Sequence, residues 1–159
     1  MTSYPTKSDL LATTKLACEI ANINADRFNE AVHANFYPCA PKTTPGKART
    51  FDVDDIVALR LYQRSMDAGM SAAAAGEKAC KVREFMQANP DASRVYIIST
   101  DFKVLDYFLP DWDVKQDLIK INATQAIDVI GFEMIDLDWH RVRAVHYITE
   151  ADKRRVVGD

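Results

Sequence analysis

The stretch that decides the fold is Ile20-Ala21-Asn22-Ile23-Asn24-Ala25-Asp26-Arg27-Phe28, because one helical pattern ends in it and another begins. The residues before it place an apolar face on a first helix, at Leu10, Leu11, Leu16, Ala17, Ile20 and Ala21. Asn22 tolerates the left-handed backbone of a tight turn, and Asn24 is a favourable N-cap. The residues after it predict a second helix over about 25–34, with Phe28 facing inward. The sequence therefore predicts two helices joined by a tight turn.

The next segment changes character. Residues 36–51 contain three prolines and a Pro45-Gly46 turn signal, which predict a two-stranded hairpin with an exposed tip near residues 44–47. Asp52 and Asp54 then suit the start of a third helix, which runs to about residue 68 and ends at Gly69. Ser71 is the expected cap of a fourth helix, which Pro90 stops.

The second half contains shorter apolar runs. They predict strands near residues 95–98 and 131–137, a short helix over 123–130, and a last helix from Asp138 to about Thr149, with a frayed basic end at residues 153–155. We therefore predict an α+β protein with two domains. Residues 10–90 have the element order of a winged helix-turn-helix, and residues 91–159 form a small mixed α+β domain for dimerisation or sensing.

Charge is distributed unevenly along the chain. The whole sequence has 20 Lys and Arg against 23 Asp and Glu, a net charge of −3, yet residues 31–50 contain no acid and carry Lys42, Lys47 and Arg49. Binding of phosphate requires local positive charge rather than a positive whole chain. The net charge therefore does not exclude a nucleic-acid partner.

Four short motifs between Thr13 and Ala79 resemble the DNA-binding domain of MerR-like transcriptional regulators. Ala17 and residues 20–24 match the first helix and turn of that family, with Asn22 where Gly is usual and Asn24 at the Ser/Thr cap. Arg49-Thr50-Phe51 matches the Arg-x-aromatic end of the wing, and Asp54-Asp55-Ile56 matches the helix start that follows. Residues 67–71 match the turn between the third and fourth helices.

The resemblance implies a winged helix-turn-helix that binds double-stranded DNA, with an architecture typical of divergent phage and mobile-element regulators. Two departures limit what carries over. The family's recognition helix usually reads Thr-[IL]-Arg-Tyr-Tyr, and residues 27–31 have Asn29, Glu30 and Ala31 in place of its Arg and two Tyr. No heptads follow Pro90, where a dimerisation coiled coil is usual. The expected DNA-binding residues come from this chain's own pattern and are Asn24, Arg27, Asn29, Lys42, Lys47 and Arg49. Arg49 has a structural alternative, which is pairing with Asp54 or Asp55.

The leading interpretation is a sequence-specific transcriptional regulator that acts as a homodimer, because one short recognition helix specifies too little DNA alone. The C-terminal domain would dimerise or bind a partner protein. One alternative is an architectural accessory factor, such as a recombination directionality factor or a packaging adaptor. Another is a winged protein-interaction module without DNA binding, which the net charge and Glu30 favour.

Other classes find less support in the sequence. No HExxH, P-loop or GxSxG motif is present, and His140 and His146 fall on different faces of a helix, so we expect no enzyme, metal or cofactor. No apolar stretch reaches the roughly 18 residues of a membrane helix, and the N-terminus lacks a signal-peptide pattern. Cys18, Cys39 and Cys80 are far apart, without CxxC spacing. We therefore expect three unpaired packing cysteines in a cytoplasmic protein.

Overall fold

The computed structural model describes residues 10–100, 107–109 and 129–157. The described elements are β1 (Ala12–Thr13), α1 (Thr14–Ala21), α2 (Ala25–His33), β2 (Thr50–Phe51), α3 (Val53–Asp67), α4 (Ala72–Ala88), β3 (Arg94–Thr100), β4 (Tyr107–Leu109), β5 (Val129–Asp136) and α5 (Leu137–Val157). The expected α+β class is therefore confirmed. None of the helices in these ranges is long and apolar enough to cross a membrane.

The chain divides into two compact units. Unit 1 contains the described residues up to Glu84 together with those from Trp139 onward, and unit 2 contains Phe85–Asp138. We expected residues 91–159 to form one domain, whereas α5 groups almost entirely with the N-terminal residues. Arg141 Nε donates to Asp54 Oδ1 of α3 at 3.1 Å, and Arg143 Nη1 donates to the Ile20 carbonyl at the end of α1 at 2.8 Å. These bonds cross more than 80 residues of sequence, which local patterns do not reveal.

The turn between α1 and α2 is as predicted. Asn22 adopts the left-handed conformation with φ of 60°, and Asn24 Oδ1 accepts from the Asp26 N–H at 2.8 Å to cap α2. The start of α1 differs from the prediction. Thr13 caps the helix by accepting from the Leu16 N–H at 3.2 Å, and Ala12 and Thr13 pair with Phe51 and Thr50, so the predicted helical run from Leu10 is wrong.

The segment between α2 and α3 is less regular than a two-stranded hairpin. A single antiparallel bridge joins Thr44 to Lys47 around Gly46, whose φ is 78°, and residues 42–48 are exposed. The position of the tip is therefore confirmed. Strand β2 pairs with β1 instead of with a second hairpin strand, since Pro38, Pro41 and Pro45 lack the N–H groups that a ladder needs.

Local chemistry sets the boundaries of α3 and α4. Asp52 and Asp55 form a reciprocal capping box, in which the Asp55 N–H donates to Asp52 Oδ1 at 2.7 Å and the Asp52 N–H donates to Asp55 Oδ2 at 3.0 Å. Gly69 ends α3 with φ of 101°, a conformation that favours glycine. Ser71 Oγ then accepts from the Ala74 N–H at 3.2 Å at the start of α4, as predicted.

Unit 2 contains a three-stranded antiparallel sheet in the order β4-β3-β5. Val95, Ile97 and Ile135 are buried in it, while alternate residues of β5 (Ile130, Phe132 and Met134) are exposed. The predicted helix over 123–130 is wrong at residues 129 and 130, which begin β5, and its remainder lies outside the described residues. Helix α5 continues to Val157, so residues 153–155 are helical rather than frayed.

Gly76 lets the chain after α2 approach α4 closely. A Cβ atom at this position would overlap the carbonyl of Phe36, whose main chain crosses the helix there. Nothing but hydrogen fits on this face of α4. The glycine therefore has a packing role that compensates for its low helix propensity.

We expect Gly76→Ala to lower the free energy of unfolding by about 1–2 kcal/mol, because overpacking outweighs the gain in helix propensity of about 1 kcal/mol. The exposed Ala73→Gly in the same helix is the matched control, and propensity alone predicts a loss of about 1 kcal/mol. Urea denaturation measures both. A Gly76→Ala protein more stable than the wild type would contradict the close approach.

Candidate nucleic-acid interface

One aromatic cluster joins α2 to residues 36–51, called the exposed segment here because residues 42–48 within it are exposed. The ring of Phe28, which is fully buried, lies 5.9 Å from that of Tyr37 and 5.6 Å from that of Phe51, both edge-on, and Tyr37 lies 5.0 Å from Tyr62 of α3. Such edge-to-face pairs add stability beyond the area they bury. Residues 37 and 51, near the two ends of the segment, are therefore both fixed to the inner face of α2.

Tyr37 is a structural member of this cluster. Burial raises its pKa far above the usual value, and the nearby Asp55 carboxylate adds to the effect. The phenol consequently stays protonated at all physiological pH values and is not a candidate acid or base.

Asn24 and the two predicted base-reading residues lie at different parts of α2. Asn24 is exposed at the N-terminus, and its side-chain oxygen already accepts from the N–H groups of Asp26 and Arg27, at 2.8 Å and 3.4 Å. Arg27 and Asn29 are both exposed. Residues two apart on a helix do not share a face, so the structure does not bring these two side chains together.

Arg27 lies on the flank of α2 that faces α3. There it lines an open cleft of about 540 Å³ with Glu30, Gln63, Met66 and Asp67, over an apolar floor that includes Ile23, Ala31 and Tyr62. Gln63 Nε2 donates to Asp67 Oδ1 at 2.8 Å on the α3 side. The cleft thus places one cation near two carboxylates.

The outward face of α2 is more acidic than the sequence analysis anticipated. Asp26 and Glu30 are both exposed and lie four residues apart, so they share a face. Glu30 already favours a module without DNA binding in the sequence, and Asp26 adds a second carboxylate to the same face. The position of Asp26 could have been expected from the sequence, because a carboxylate in the first turn of a helix complements the helix dipole.

Lys42 and Lys47 are the exposed cations of the acid-free segment. Lys42 lies two residues before the Thr44–Lys47 bridge and Lys47 lies in it, and in the described part of the chain neither has a carboxylate within 4.0 Å. Their charge is therefore available to an external anion.

Arg49 has a different environment from the two lysines. It is half-buried, and its guanidinium lies 5.7 Å from the centre of the Phe28 ring, within cation–π range. The alternative that Arg49 pairs with Asp54 or Asp55 is wrong, because other arginines bind those acids. Arg49 therefore connects the end of the exposed segment to α2.

The acids at the start of α3 pair with arginines of α4 and α5. Arg83 Nε donates to Asp55 at 2.9 Å and its Nη2 donates to Asp52 at 3.2 Å, while Arg141 binds Asp54. Burial raises the pKa of Asp52, and the Asp55 carboxylate adds to this, although the Asp55 N–H and Arg83 oppose it. Two arginines thus compensate most of the charge of three carboxylates and leave a net charge of −1 in this cluster.

The prediction of three unpaired cysteines is wrong. Cys39, which follows Tyr37 in the exposed segment, forms a disulfide with Cys80 of α4, and their Cα atoms are 5.4 Å apart. Sequence spacing did not reveal the pair because 41 residues separate its members. Cys18 is free and buried as expected, and burial raises the pKa of its thiol to about 11.

The described residues contain no group of three His, Cys, Asp or Glu side chains arranged to hold a metal ion. Comparison with known proteins identifies no relative: no protein-family model matches the chain, and no curated protein matches it either.

Arg83→Met should lower the free energy of unfolding by about 2–4 kcal/mol, because it leaves two adjacent, partly buried carboxylates without their cation. Its side chain is only 11% exposed. Lys81→Met is the matched control, since its ion pair with Glu77 is well exposed and contributes less than about 1 kcal/mol. Denaturant titration at pH 7 compares them, and equal effects would show that the Arg83 pairs are dispensable.

Proposed function

We propose that this protein is a sequence-specific, double-stranded DNA-binding transcriptional regulator of the cytoplasm, with unit 1 acting as a MerR-like winged helix-turn-helix. The observation that carries the proposal is the aromatic cluster around Phe28. The cluster attaches Tyr37 and Phe51 to α2, and Lys42 and Lys47 lie between these two attachment points. A helix and a basic loop fixed to each other are the two parts that a winged domain applies to DNA.

In this proposal α2 enters the major groove while the turn at residues 44–47 lies against the backbone. Lys42 and Lys47 bind phosphate oxygens, which fixes register without reading sequence. At the N-terminus of α2, Asn24 can donate from its side-chain amide to a further phosphate, since its oxygen is engaged in the helix cap.

Arg27 and Asn29 lie on different flanks of α2, so each would read a different part of the DNA site. Asn29 is suited to adenine and Arg27 to guanine, but their separation around the helix makes simultaneous contact with one base step unfavourable. Asp26 and Glu30 can accept from cytosine and repel phosphates elsewhere, which would penalise wrong registers. Affinity in this scheme depends heavily on the lysines.

Lys42→Ala combined with Lys47→Ala should weaken binding to all duplex sequences and reduce the slope of log K against log salt by about two, one for each lost phosphate contact. Fluorescence anisotropy with a labelled random-sequence duplex, at several salt concentrations, measures this slope. Lys81→Ala, exposed on α4, is the control and should bind like the wild type. An unchanged slope in the double variant would remove the segment from the interface.

We propose further that the regulator is a homodimer through α5. This helix exposes Trp139, Val142 and Tyr147, which are 60%, 60% and 41% accessible, and Trp139 and Val142 are three residues apart and share one helical face. Arg141 and Arg143 attach the same helix to α3 and α1. Pairing of two copies through α5 would therefore join two DNA-binding units, as a palindromic site requires.

Val142→Glu should convert the dimer into a monomer, because it places two carboxylates in a symmetric apolar contact. Position 142 is exposed, so the protomer should still fold. Sedimentation equilibrium measures the mass, and Arg154→Ala, also exposed on α5, is the control. A wild-type monomer, or a Val142→Glu dimer, would exclude this interface.

A second candidate function is a protein-interaction module without DNA binding. Asp26 and Glu30 on the outward face of α2, and the acidic cleft beside it, favour this alternative. Failure to retard any genomic DNA fragment in a gel at low salt would leave it as the better explanation. Retardation that the two lysine substitutions weaken would exclude it.

A further inference from the structure

The Cys39–Cys80 disulfide attaches the exposed segment to α4. Besides the covalent bond, the Cys39 N–H donates to Cys80 Sγ at 3.2 Å. One helical turn earlier on α4, Gly76 admits the main chain of Phe36. The chain from residue 36 to residue 39 therefore lies along one face of α4, and the disulfide is the bond at its far end.

The disulfide lies close in sequence to the two lysines proposed to bind phosphate. Cys39 is three residues before Lys42, and residues 42–48 are exposed. Among the hydrogen bonds, ion pairs and ring contacts of the described residues, the next tertiary one along the chain is that of Arg49 with Phe28. The disulfide is thus the attachment from which the lysine-bearing turn extends.

The chemistry of the pair allows it to open and close. Cys39 and Cys80 are each half-buried, whereas Cys18 is buried and burial raises the pKa of its thiol, so the disulfide pair is the better candidate for exchange with a small thiol. Disulfides in a reducing compartment are typically transient and redox-sensing.

We infer that Cys39 and Cys80 form a thiol–disulfide switch whose closed state holds the Lys42–Lys47 turn ready for DNA and whose open state releases it. The inference rests on the DNA-binding function proposed above. It adds a redox regulator of the same site, which acts through a dithiol reductant and a small disulfide oxidant.

The switching reaction is thiol–disulfide exchange. One thiolate of a dithiol attacks one cysteine sulfur, forming a mixed disulfide and displacing the other cysteine as a thiolate. The second thiol of the reductant then closes a ring and displaces the first cysteine. Two electrons pass to the protein, two protons end on the cysteines, and the reductant becomes a cyclic disulfide. Oxidised glutathione restores the bond in two other exchanges: one cysteine thiolate attacks it and releases one reduced glutathione, and the second cysteine then displaces the other, so two reduced glutathiones are formed.

Oxidised wild-type protein should bind a labelled random-sequence duplex at low salt roughly three- to tenfold more tightly than protein reduced with dithiothreitol, since the open segment loses preorganisation. Reoxidation with glutathione disulfide should restore the affinity. Hydrogen exchange of residues 40–48 should be faster in the reduced protein. Alkylation and mass spectrometry establish the thiol state of each sample.

Two variants separate the pair from the third cysteine. Cys39→Ser combined with Cys80→Ser should bind like reduced wild type and ignore dithiothreitol. Cys18→Ala should retain the full redox response. Equal affinity and equal exchange in the two states of the wild type would overturn the switch. Loss of helical circular dichroism on reduction would also overturn it, because the bond would then be a requirement for folding.

Failure of the proposed function has a different signature. If neither redox state binds DNA while residues 40–48 still exchange faster after reduction, the DNA-binding proposal fails and the redox release of the segment stands. If DNA binds equally in both states, DNA binding stands and the switch fails.

Discussion

The fully buried ring of Phe28 packs between Tyr37 and Phe51, and the arrangement of unit 1 depends on that packing. Phe28 belongs to α2, while its partners lie near the start and at the end of the exposed segment. Because the segment is rich in proline and has little ladder pairing of its own, tertiary contacts must define its path. The cation–π contact of Arg49 with the same ring adds to this anchoring. One apolar side chain therefore converts a helix and an irregular loop into a single surface.

Ion pairs with arginines lower the negative charge of the carboxylates at the start of α3, next to this surface. The carboxylates that start α3 are required for its capping box, yet they lie beside a segment that is proposed to meet phosphates. Arg83 from α4 and Arg141 from α5 pair with them internally, so only one net negative charge of the three carboxylates remains. The disulfide to α4 fixes the segment from a third direction. Helices α2, α4 and α5 thus all contact the exposed segment or the start of α3 that follows it.

Sequence alone could predict the features that depend on neighbouring residues. The turn at Asn22, the end of α3 at Gly69 and the exposed tip near Lys47 follow from backbone preferences within a few positions, and all three are present. Features that depend on distant partners were not predictable. The pairing of β2 with β1, the disulfide, and the attachment of α5 through Arg141 each join residues that local periodicity does not relate. The types of the candidate DNA-binding residues were visible in the sequence, but the separation of Arg27 from Asn29 around α2 decides how they can act.

The central claim is that α2 and the lysine-bearing turn contact DNA together because Phe28 joins them. Hydrogen exchange of the oxidised full-length protein, with and without saturating duplex DNA selected from a random pool, tests it most directly. Bound DNA should slow exchange in residues 24–30 and 42–48 together and leave exchange in the strands of unit 2 unchanged. Slower exchange confined to unit 2, or to only one of the two unit 1 regions, would contradict it.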